Sequence, residues 1–220
     1  MSPSLSLLVT SFLTVFVGLF PIVNPLGMAP IFLRLTAGSS AETRAKLAWL
    51  IALYGFALMV VSLFVGSHIL AFFGLTVPAV QIAGGLVVMA AGWRLLQQGD
   101  DTGSRERQSA VGDEAMLRHA FFPLTMPLTV GPGTISVAIT LGNKGAAAHE
   151  LLPLGIGALA AVLAVAAAIY VCYRFAERVL RLLGESGTDI FLRLSAFILL
   201  CLGVQILTNG LGALPWLARG

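Results

Sequence analysis

Six long apolar stretches constrain the fold of this chain more than any other feature of its sequence. A helix of about 20 predominantly apolar residues is long enough to cross a bilayer. The chain is 58% hydrophobic and only 10% charged, and a soluble domain of this size could not hide so much apolar surface. The sequence therefore predicts an all-α membrane protein of six transmembrane helices. These spans cover residues 5–33, 47–72, 77–96, 120–141, 151–173 and 190–211.

Lysine and arginine are distributed unevenly among the predicted loops. The loops after the first, third and fifth spans hold nearly all of the 13 basic residues, and only Lys144 and Arg219 lie on the other side. Short loops rich in Lys and Arg face the cytoplasm. We therefore expect a multi-pass protein of a bacterial or archaeal cytoplasmic membrane, with both termini on the outer side. The net charge of +3 is explained by this topology and by anionic headgroups, and predicts no nucleic-acid partner.

Two similar segments indicate an internal repeat. FPIVNPL occupies residues 20–26 in the first span and FPLTMPL occupies 122–128 in the fourth, so that each Phe-Pro and each Pro-Leu aligns. Each half has three spans, an odd number, so two such halves cross the membrane in opposite directions, as in many secondary transporters. We predict inverted three-helix repeats over residues 1–98 and 119–220, joined by a hydrophilic cytoplasmic loop over 99–118.

Proline and glycine break the first and fourth helices near the membrane midplane. The freed backbone groups must face protein or a water-filled cavity. Half-helix N-termini suit a carboxylate, and unwound carbonyls suit an ammonium group, so the expected ligand is a small zwitterion such as an amino acid. The polar side chains of these segments are Asn24, Thr125, Thr129, Thr134 and Ser136, and a second layer from the third and sixth spans comprises Gln81, Gln205 and Asn209.

Missing motifs narrow the range of functions. All ten acidic residues lie in loops or at span ends, which disfavours a buried carboxylate that relays protons or coordinates a cation. No metal-binding, phosphate-loop or dinucleotide motif occurs, so we expect no cofactor and no enzyme. A channel, or a membrane partner or regulatory protein that transports nothing, stays open as an alternative, and the oligomeric state is left open too.

The residues around both breaks resemble the MarC family of bacterial and archaeal membrane proteins, which includes the SnatA transporters. The resemblance rests on NPLG at residues 24–27 with Pro30, and on Pro127-Leu128 followed by GPGT at 131–134. It extends to IAGGL at 82–86 and to the end of the sixth span, and so covers nearly the whole chain.

This resemblance implies six spans and transport, including export, of small neutral amino acids such as glycine and alanine. Many members carry a polar residue where this chain has Met28, which puts the substrate in question. The family name suggests drug resistance, but Gly, Pro and Thr dominate the central segments, where a drug exporter would present aromatic residues. Carried over to this sequence, the implied site comprises Asn24, Pro25, Gly27, Thr129, Gly131, Pro132, Gly133 and Thr134.

Overall fold

Helices account for nearly all of the part of the chain that the structure, a computed structural model, describes, namely residues 3–97, 113–143 and 150–214. This part contains nine α-helices and one π-helical stretch, here called the π segment. The α-helices are α1 (Pro3–Val23), α2 (Pro25–Leu35), α3 (Ala41–Phe64), α4 (Gly66–Phe72), α5 (Val77–Gln97), α6 (Asp113–Arg118), α7 (Pro132–Gly142), α8 (Leu151–Arg174) and α9 (Ala176–Gly212), and the π segment is Ala120–Thr129.

Five helical stretches are long and apolar enough to cross a membrane by themselves. A sixth candidate consists of the π segment and α7, which meet at an angle of 67°. The prediction of an all-α membrane protein is therefore confirmed, with five spans, or six if the bent pair is one span. The five stretches are Ser4–Leu35, Ala41–Phe64, Val77–Gln97, Leu151–Arg174 and Gly187–Gly212.

The second span differs in its limits from the prediction of 47–72. It begins at Ala41, because the Ser40 hydroxyl accepts a hydrogen bond from the backbone N–H of Thr43 at 3.2 Å and caps the helix. Glu42 in the first turn further favours this start through the helix dipole. The helix ends at Phe64, and the residues that follow form the separate helix α4.

The predicted loop over 99–118 is partly helical, which corrects the sequence-based expectation. Its last residues form α6, with Asp113 and Glu114 in the first turn and Arg118 in the last. This charge order is the one that a helix dipole favours. The remainder of that loop lies outside the described residues.

Small residues allow α8 to pack closely against α1 at the centre of the molecule. Gly157 of α8 faces the backbone of Leu8 and Phe12 in α1. Ser11 of α1 donates a hydrogen bond from its hydroxyl to the carbonyl of Leu154 at 2.7 Å. Because lipid tails are as apolar as leucine, helices in a membrane associate through such close packing and interhelical hydrogen bonds.

Glycines also join α5 and α9 along their length. A Cβ atom on Gly85 would lie 2.6 Å from the backbone nitrogen of Leu207, and one on Gly92 would lie 2.6 Å from that of Leu200. From the other side, Gly203 faces the backbone of Met89, and a Cβ on Gly210 would lie 2.9 Å from the Cβ of Gln81. Each helix thus presents two glycines one heptad apart, and the two backbones touch.

Large apolar side chains cover the outside of the bundle. Val17 is 64% exposed, Leu152 is 74% exposed and Phe72 is 85% exposed. They belong to α1, α8 and α4, so the apolar surface extends around the molecule rather than forming one patch. Such a surface is suited to contact with lipid, in agreement with the membrane spans.

Gly92→Ala should lower the free energy of unfolding by about 1–3 kcal/mol, because the new methyl group overpacks the α5–α9 contact. Gly155→Ala in α8 is the matched control. Its Cβ would lie 4.0 Å from the nearest atom, on Phe64, so it should stabilise the helix by about 0.5–1 kcal/mol. Thermal unfolding in detergent measures both variants, and equal shifts would contradict the close contact.

Candidate functional site

The first break is a single left-handed residue, Asn24, with φ 45° and ψ 56°. Asparagine tolerates this conformation because its short polar side chain bonds locally. Its side-chain oxygen accepts a hydrogen bond from the N–H of Gly27 at 3.2 Å and so caps α2, which opens with Pro25. Asn24 also donates its own N–H to the carbonyl of Phe20 at 2.9 Å. The chain therefore continues across this break without the sharp bend seen in the fourth span.

Proline frees a carbonyl at this break. Pro25 has no N–H, so the carbonyl of Pro21, four residues earlier, receives no helical hydrogen bond from it. Pro25 and Gly27 are buried and Asn24 is half-buried. The first break therefore combines a carbonyl that has lost its helical donor with the half-buried side chain of Asn24.

In the π segment, threonine hydroxyls bond to backbone carbonyls. Phe122 (φ −123°, ψ 123°) and Met126 (φ −113°, ψ 121°) are extended, and each precedes a proline, which disfavours the helical conformation. The hydroxyl of Thr125 donates to the carbonyl of Ala120 at 2.7 Å, and that of Thr129 donates to the carbonyl of Leu124 at 2.7 Å. Two threonine hydroxyls thus add side-chain hydrogen bonds to the backbone pattern of the π segment.

Gly131 forms the second break. Its backbone is extended, with φ −87° and ψ 178°, and α7 begins at the next residue, Pro132. A Cβ on Gly131 would lie 2.8 Å from the carbonyl oxygen of Pro127, so a larger residue would collide with the π segment. Since glycine has no side chain, it cannot cap the N–H groups of Gly133 and Thr134 as Asn24 caps α2. The N-terminus of α7 therefore lacks a side-chain cap.

The register of the repeat differs from the one that sequence similarity suggests. Similarity aligns Pro25 with Pro127, whereas the prolines that open the two second half-helices are Pro25 and Pro132. Pro127 lies inside the π segment, where hydrogen bonds reach back five residues, as from the N–H of Val130 to the carbonyl of Thr125 at 2.8 Å. The residues that match in sequence therefore occupy different structural positions in the two breaks.

Both second half-helices lie against the α5–α9 pair. Gly27 of α2 approaches Ser195 of α9, where a Cβ on the glycine would lie 2.7 Å from the serine Cβ. Gly133 of α7 approaches Val88 and Gly84 of α5. Ser195, which is 8% exposed, was missed by the sequence analysis because its proximity to Gly27 depends on how α2 and α9 pack.

Hydrogen bonds also join α7 to α5. Ser136 donates its hydroxyl to the carbonyl of Val80 at 2.9 Å, and Gln81 donates from its amide to Thr140 at 3.2 Å. Thr134 and Ser136 are both buried. Of the predicted second layer, Gln81 thus lies beside α7, and Ser136 of α7 joins the same contact from the other helix.

Gln205 and Asn209 lie elsewhere. Their side chains bond to each other at 2.9 Å on an exposed face of α9. Although Gly210 next to them contacts α5, these two amides point away from that contact, and nothing brings them to either break. Met28, the departure from the resembled pattern, is 5% exposed and belongs to the main hydrophobic core.

Tyr173 is a further residue that the sequence did not reveal. Its hydroxyl lies 2.8 Å from that of Thr129 in a fully buried contact, and its ring stacks on Phe32 with the centroids 4.6 Å apart. Tyr173 thereby links α8 both to the broken fourth span and to α2. A lone tyrosine at the end of an apolar run gives no sequence signal of such a contact.

The fold and these breaks define a multi-pass integral membrane protein with two interrupted helices. Residues 9–214 match the model of the family described as MarC family integral membrane protein. The inner membrane protein MarC of Salmonella typhimurium is 32% identical over 198 residues, which cover 87% of this chain and 90% of that protein. Its counterpart in Escherichia coli O1:K1 is 32% identical over 199 residues, with 88% and 90% covered.

This chain belongs to the MarC family, and the resemblance seen in its sequence is confirmed. Its relatives are named as inner membrane proteins, which agrees with the apolar helices described above. No solved structure matches the chain.

Asn24→Gly and Asn24→Ala should differ in stability, although both remove the capping side chain. Glycine adopts the left-handed conformation freely, so its variant should lose only a few tenths of a kcal/mol. Alanine should cost about 2 kcal/mol, from the lost cap and the unfavourable backbone. Thermal unfolding in detergent measures the difference, and equal stabilities would argue against a left-handed Asn24.

Thr125→Val should lower the free energy of unfolding by about 0.5–1.5 kcal/mol, since it removes a buried hydrogen bond to the carbonyl of Ala120. Thr188→Val is the control. The hydroxyl of Thr188 makes a similar bond to the carbonyl of Gly184 at 2.7 Å, but in an exposed position, so water can replace it. A loss for Thr188→Val as large as that for Thr125→Val, in the same unfolding assay, would show that burial is not the cause.

Proposed function

We propose that this protein is a secondary transporter of small neutral amino acids such as glycine and alanine, including their export, and that it works by alternating access. The observation that carries the proposal is the uncapped N-terminus of α7 at Gly131. The N–H groups of Gly133 and Thr134 form the positive end of a helix dipole, which suits the carboxylate of an amino acid. At α2 the corresponding position is already filled by Asn24.

The first break supplies the opposite charge. The carbonyl of Pro21 and the side-chain oxygen of Asn24 are acceptors suited to the ammonium group of the same ligand. The two breaks lie near a common cluster, because Ile22 and Val137 both pack against apolar residues of α5 and α9. Each break therefore contributes one pole of a zwitterion site.

The side chains around the breaks favour a small, uncharged substrate side chain. The buried residues at the second break are Thr129, Val130, Gly133 and Thr134, and none of them carries a charge. Every acidic residue in the described part of the chain lies outside the candidate membrane spans or within their first three residues. A cationic or acidic side chain would find no partner there, and burying it would be costly.

The helix contacts support the inverted repeat that alternating access requires. In an inverted repeat the first span corresponds to the fourth, the second to the fifth and the third to the sixth. The α1–α8 contact then corresponds to a contact between the broken fourth span and α3. In the same way the α2–α9 contact corresponds to the α5–α7 contact, and both resulting contacts occur. We therefore propose six spans, in repeats over residues 1–98 and 119–220, with both termini on the outer side.

Purified protein in proteoliposomes should take up radiolabelled glycine and alanine with saturable kinetics. Asn24→Gly retains the backbone but loses the acceptor oxygen, and Gly131→Ala closes the space at the second break. Both should reduce the flux about tenfold or more, because a contact made by a charged ligand group contributes about 1.5–3 kcal/mol. Gly155→Ala, away from both breaks, should transport as the unmodified protein does.

Each contrary outcome identifies a different function. Flux that does not saturate and carries current would make the protein a channel. Absence of flux under sodium, proton and exchange conditions, from protein with an unchanged unfolding temperature, would favour a partner or regulatory role without transport. Wild-type flux in Asn24→Gly and Gly131→Ala would move the site away from the breaks.

A further inference from the structure

One ion pair joins two distant parts of the chain. It lies at the end of the bundle that carries Arg34, Arg44, Arg118, Arg174 and Arg178, here called the arginine-rich end. Arg44 in the first turns of α3 pairs with Glu177 at the start of α9. Arg44 also donates a hydrogen bond to the carbonyl of Ser39 at 2.9 Å. Its side chain is only 20% exposed, whereas that of Glu177 is 51% exposed. The guanidinium is thus held on the first connecting loop and reaches across to the connection between α8 and α9.

A small cavity lies directly beneath this ion pair. It has a volume of about 30 Å³, and Leu33, Tyr173 and Arg174 line it together with Arg44 and Glu177. A space of this size holds about one water molecule. Tyr173, which forms part of the wall, is the residue whose hydroxyl contacts Thr129 of the fourth span at 2.8 Å.

The ion pair, the cavity and the Tyr173–Thr129 contact therefore follow one another from the surface toward the second break. Phe32 closes the same path from α2, since its ring stacks on that of Tyr173 and is only 1% exposed. These groups belong to five helical elements, namely α2, α3, the π segment, α8 and α9. A movement that opened the break toward this end would have to separate them.

Asp113 also attaches the start of α3 to a neighbouring segment. Its carboxylate accepts a hydrogen bond from the backbone N–H of Ser40 at 3.2 Å. Hydrogen bonds from the side chain and backbone of Ser40 lower the pKa of Asp113 below its usual value, with a smaller contribution from Thr43. The start of α3 is thus attached both to the segment before the fourth span and to the segment before the sixth.

We propose that the Arg44–Glu177 ion pair is the outer part of a gate that closes the path from the second break to the arginine-rich end, and that this structure has the gate closed. The inference rests on the transport function proposed above. A partly exposed ion pair contributes modestly to stability, so it can break and reform without unfolding the bundle. It joins elements that alternating access would move apart, which a pair within one helix does not.

The chain supplies a matched control pair in Glu42 and Lys46. These side chains form an ion pair at 2.8 Å one turn apart on α3. It lies at the same end of the bundle and has the same chemistry, but it joins no second helix. Removing it should therefore leave the path closed.

The test measures how fast a thiol at the break reacts with a water-soluble maleimide. Cys172 and Cys201 are replaced by alanine, and Val130→Cys, at a position that is fully buried, supplies the only thiol. In lipid nanodiscs both faces are accessible, so the result does not depend on orientation. Arg44→Ala and Glu177→Ala should each raise the labelling rate about two- to fivefold, the range expected for breaking such a pair.

The exchanged variant with Arg44→Glu and Glu177→Arg should bring labelling back toward the starting rate, because it restores opposite charges. Glu42→Ala should leave the rate unchanged. The proposal fails if neither Arg44→Ala nor Glu177→Ala accelerates labelling, or if Glu42→Ala accelerates it equally. An unchanged unfolding temperature in each variant excludes general loosening.

This measurement also separates the gate from the transport function, because labelling requires no substrate. Labelling that responds to the ion pair in a protein without amino-acid flux would contradict the proposed function alone. Flux accompanied by labelling that ignores the ion pair would contradict the gate alone.

Discussion

Every polar backbone group at membrane depth needs a partner, and the rest of this structure depends on how that requirement is met where prolines interrupt the helices. The two interruptions meet it differently. At Asn24 one left-handed residue caps the next helix with its side chain. In the π segment, which two prolines interrupt, the hydroxyls of Thr125 and Thr129 add side-chain hydrogen bonds to the carbonyls of Ala120 and Leu124. The first solution keeps the span continuous, whereas the second is followed by a bend of 67°.

This difference gives the two breaks complementary chemistry. Asn24 occupies the cap of its own half-helix, so the first break presents chiefly acceptors. Gly131 leaves the N-terminus of α7 without a side-chain cap, so the second break presents donors. In the function proposed above, this pair of poles receives a small dipolar solute.

The sequence was most informative where the membrane itself dictates the structure. Apolar runs predict helices reliably because hydrocarbon tolerates few alternatives, and the clusters around Asn24 and Gly131 predict breaks because proline cannot continue the backbone ladder. The limits of α3 and the helix α6 were missed, since capping by Ser40 and the charge order from Asp113 to Arg118 outweighed hydropathy there. The contacts of Tyr173 and Ser195 could not be predicted, because they depend on the lateral placement of helices distant in sequence. Gln205 and Asn209 were predicted to join the site, but they lie on an exposed face of α9. A polar side chain near the end of a span need not face the interior of the bundle.

The glycine contacts between α5 and α9 have a consequence for motion. Where side chains separate two helices, rotamer changes allow the helices to slide, but Gly85, Gly92, Gly203 and Gly210 bring backbone against backbone. A displacement along this contact would press peptide groups against one another, so α5 and α9 can act as one rigid pair. Both interrupted helices contact this pair. Any rearrangement of the molecule is then a movement of the other helices relative to this fixed pair, with α2 and α7 as the moving surfaces in contact with it.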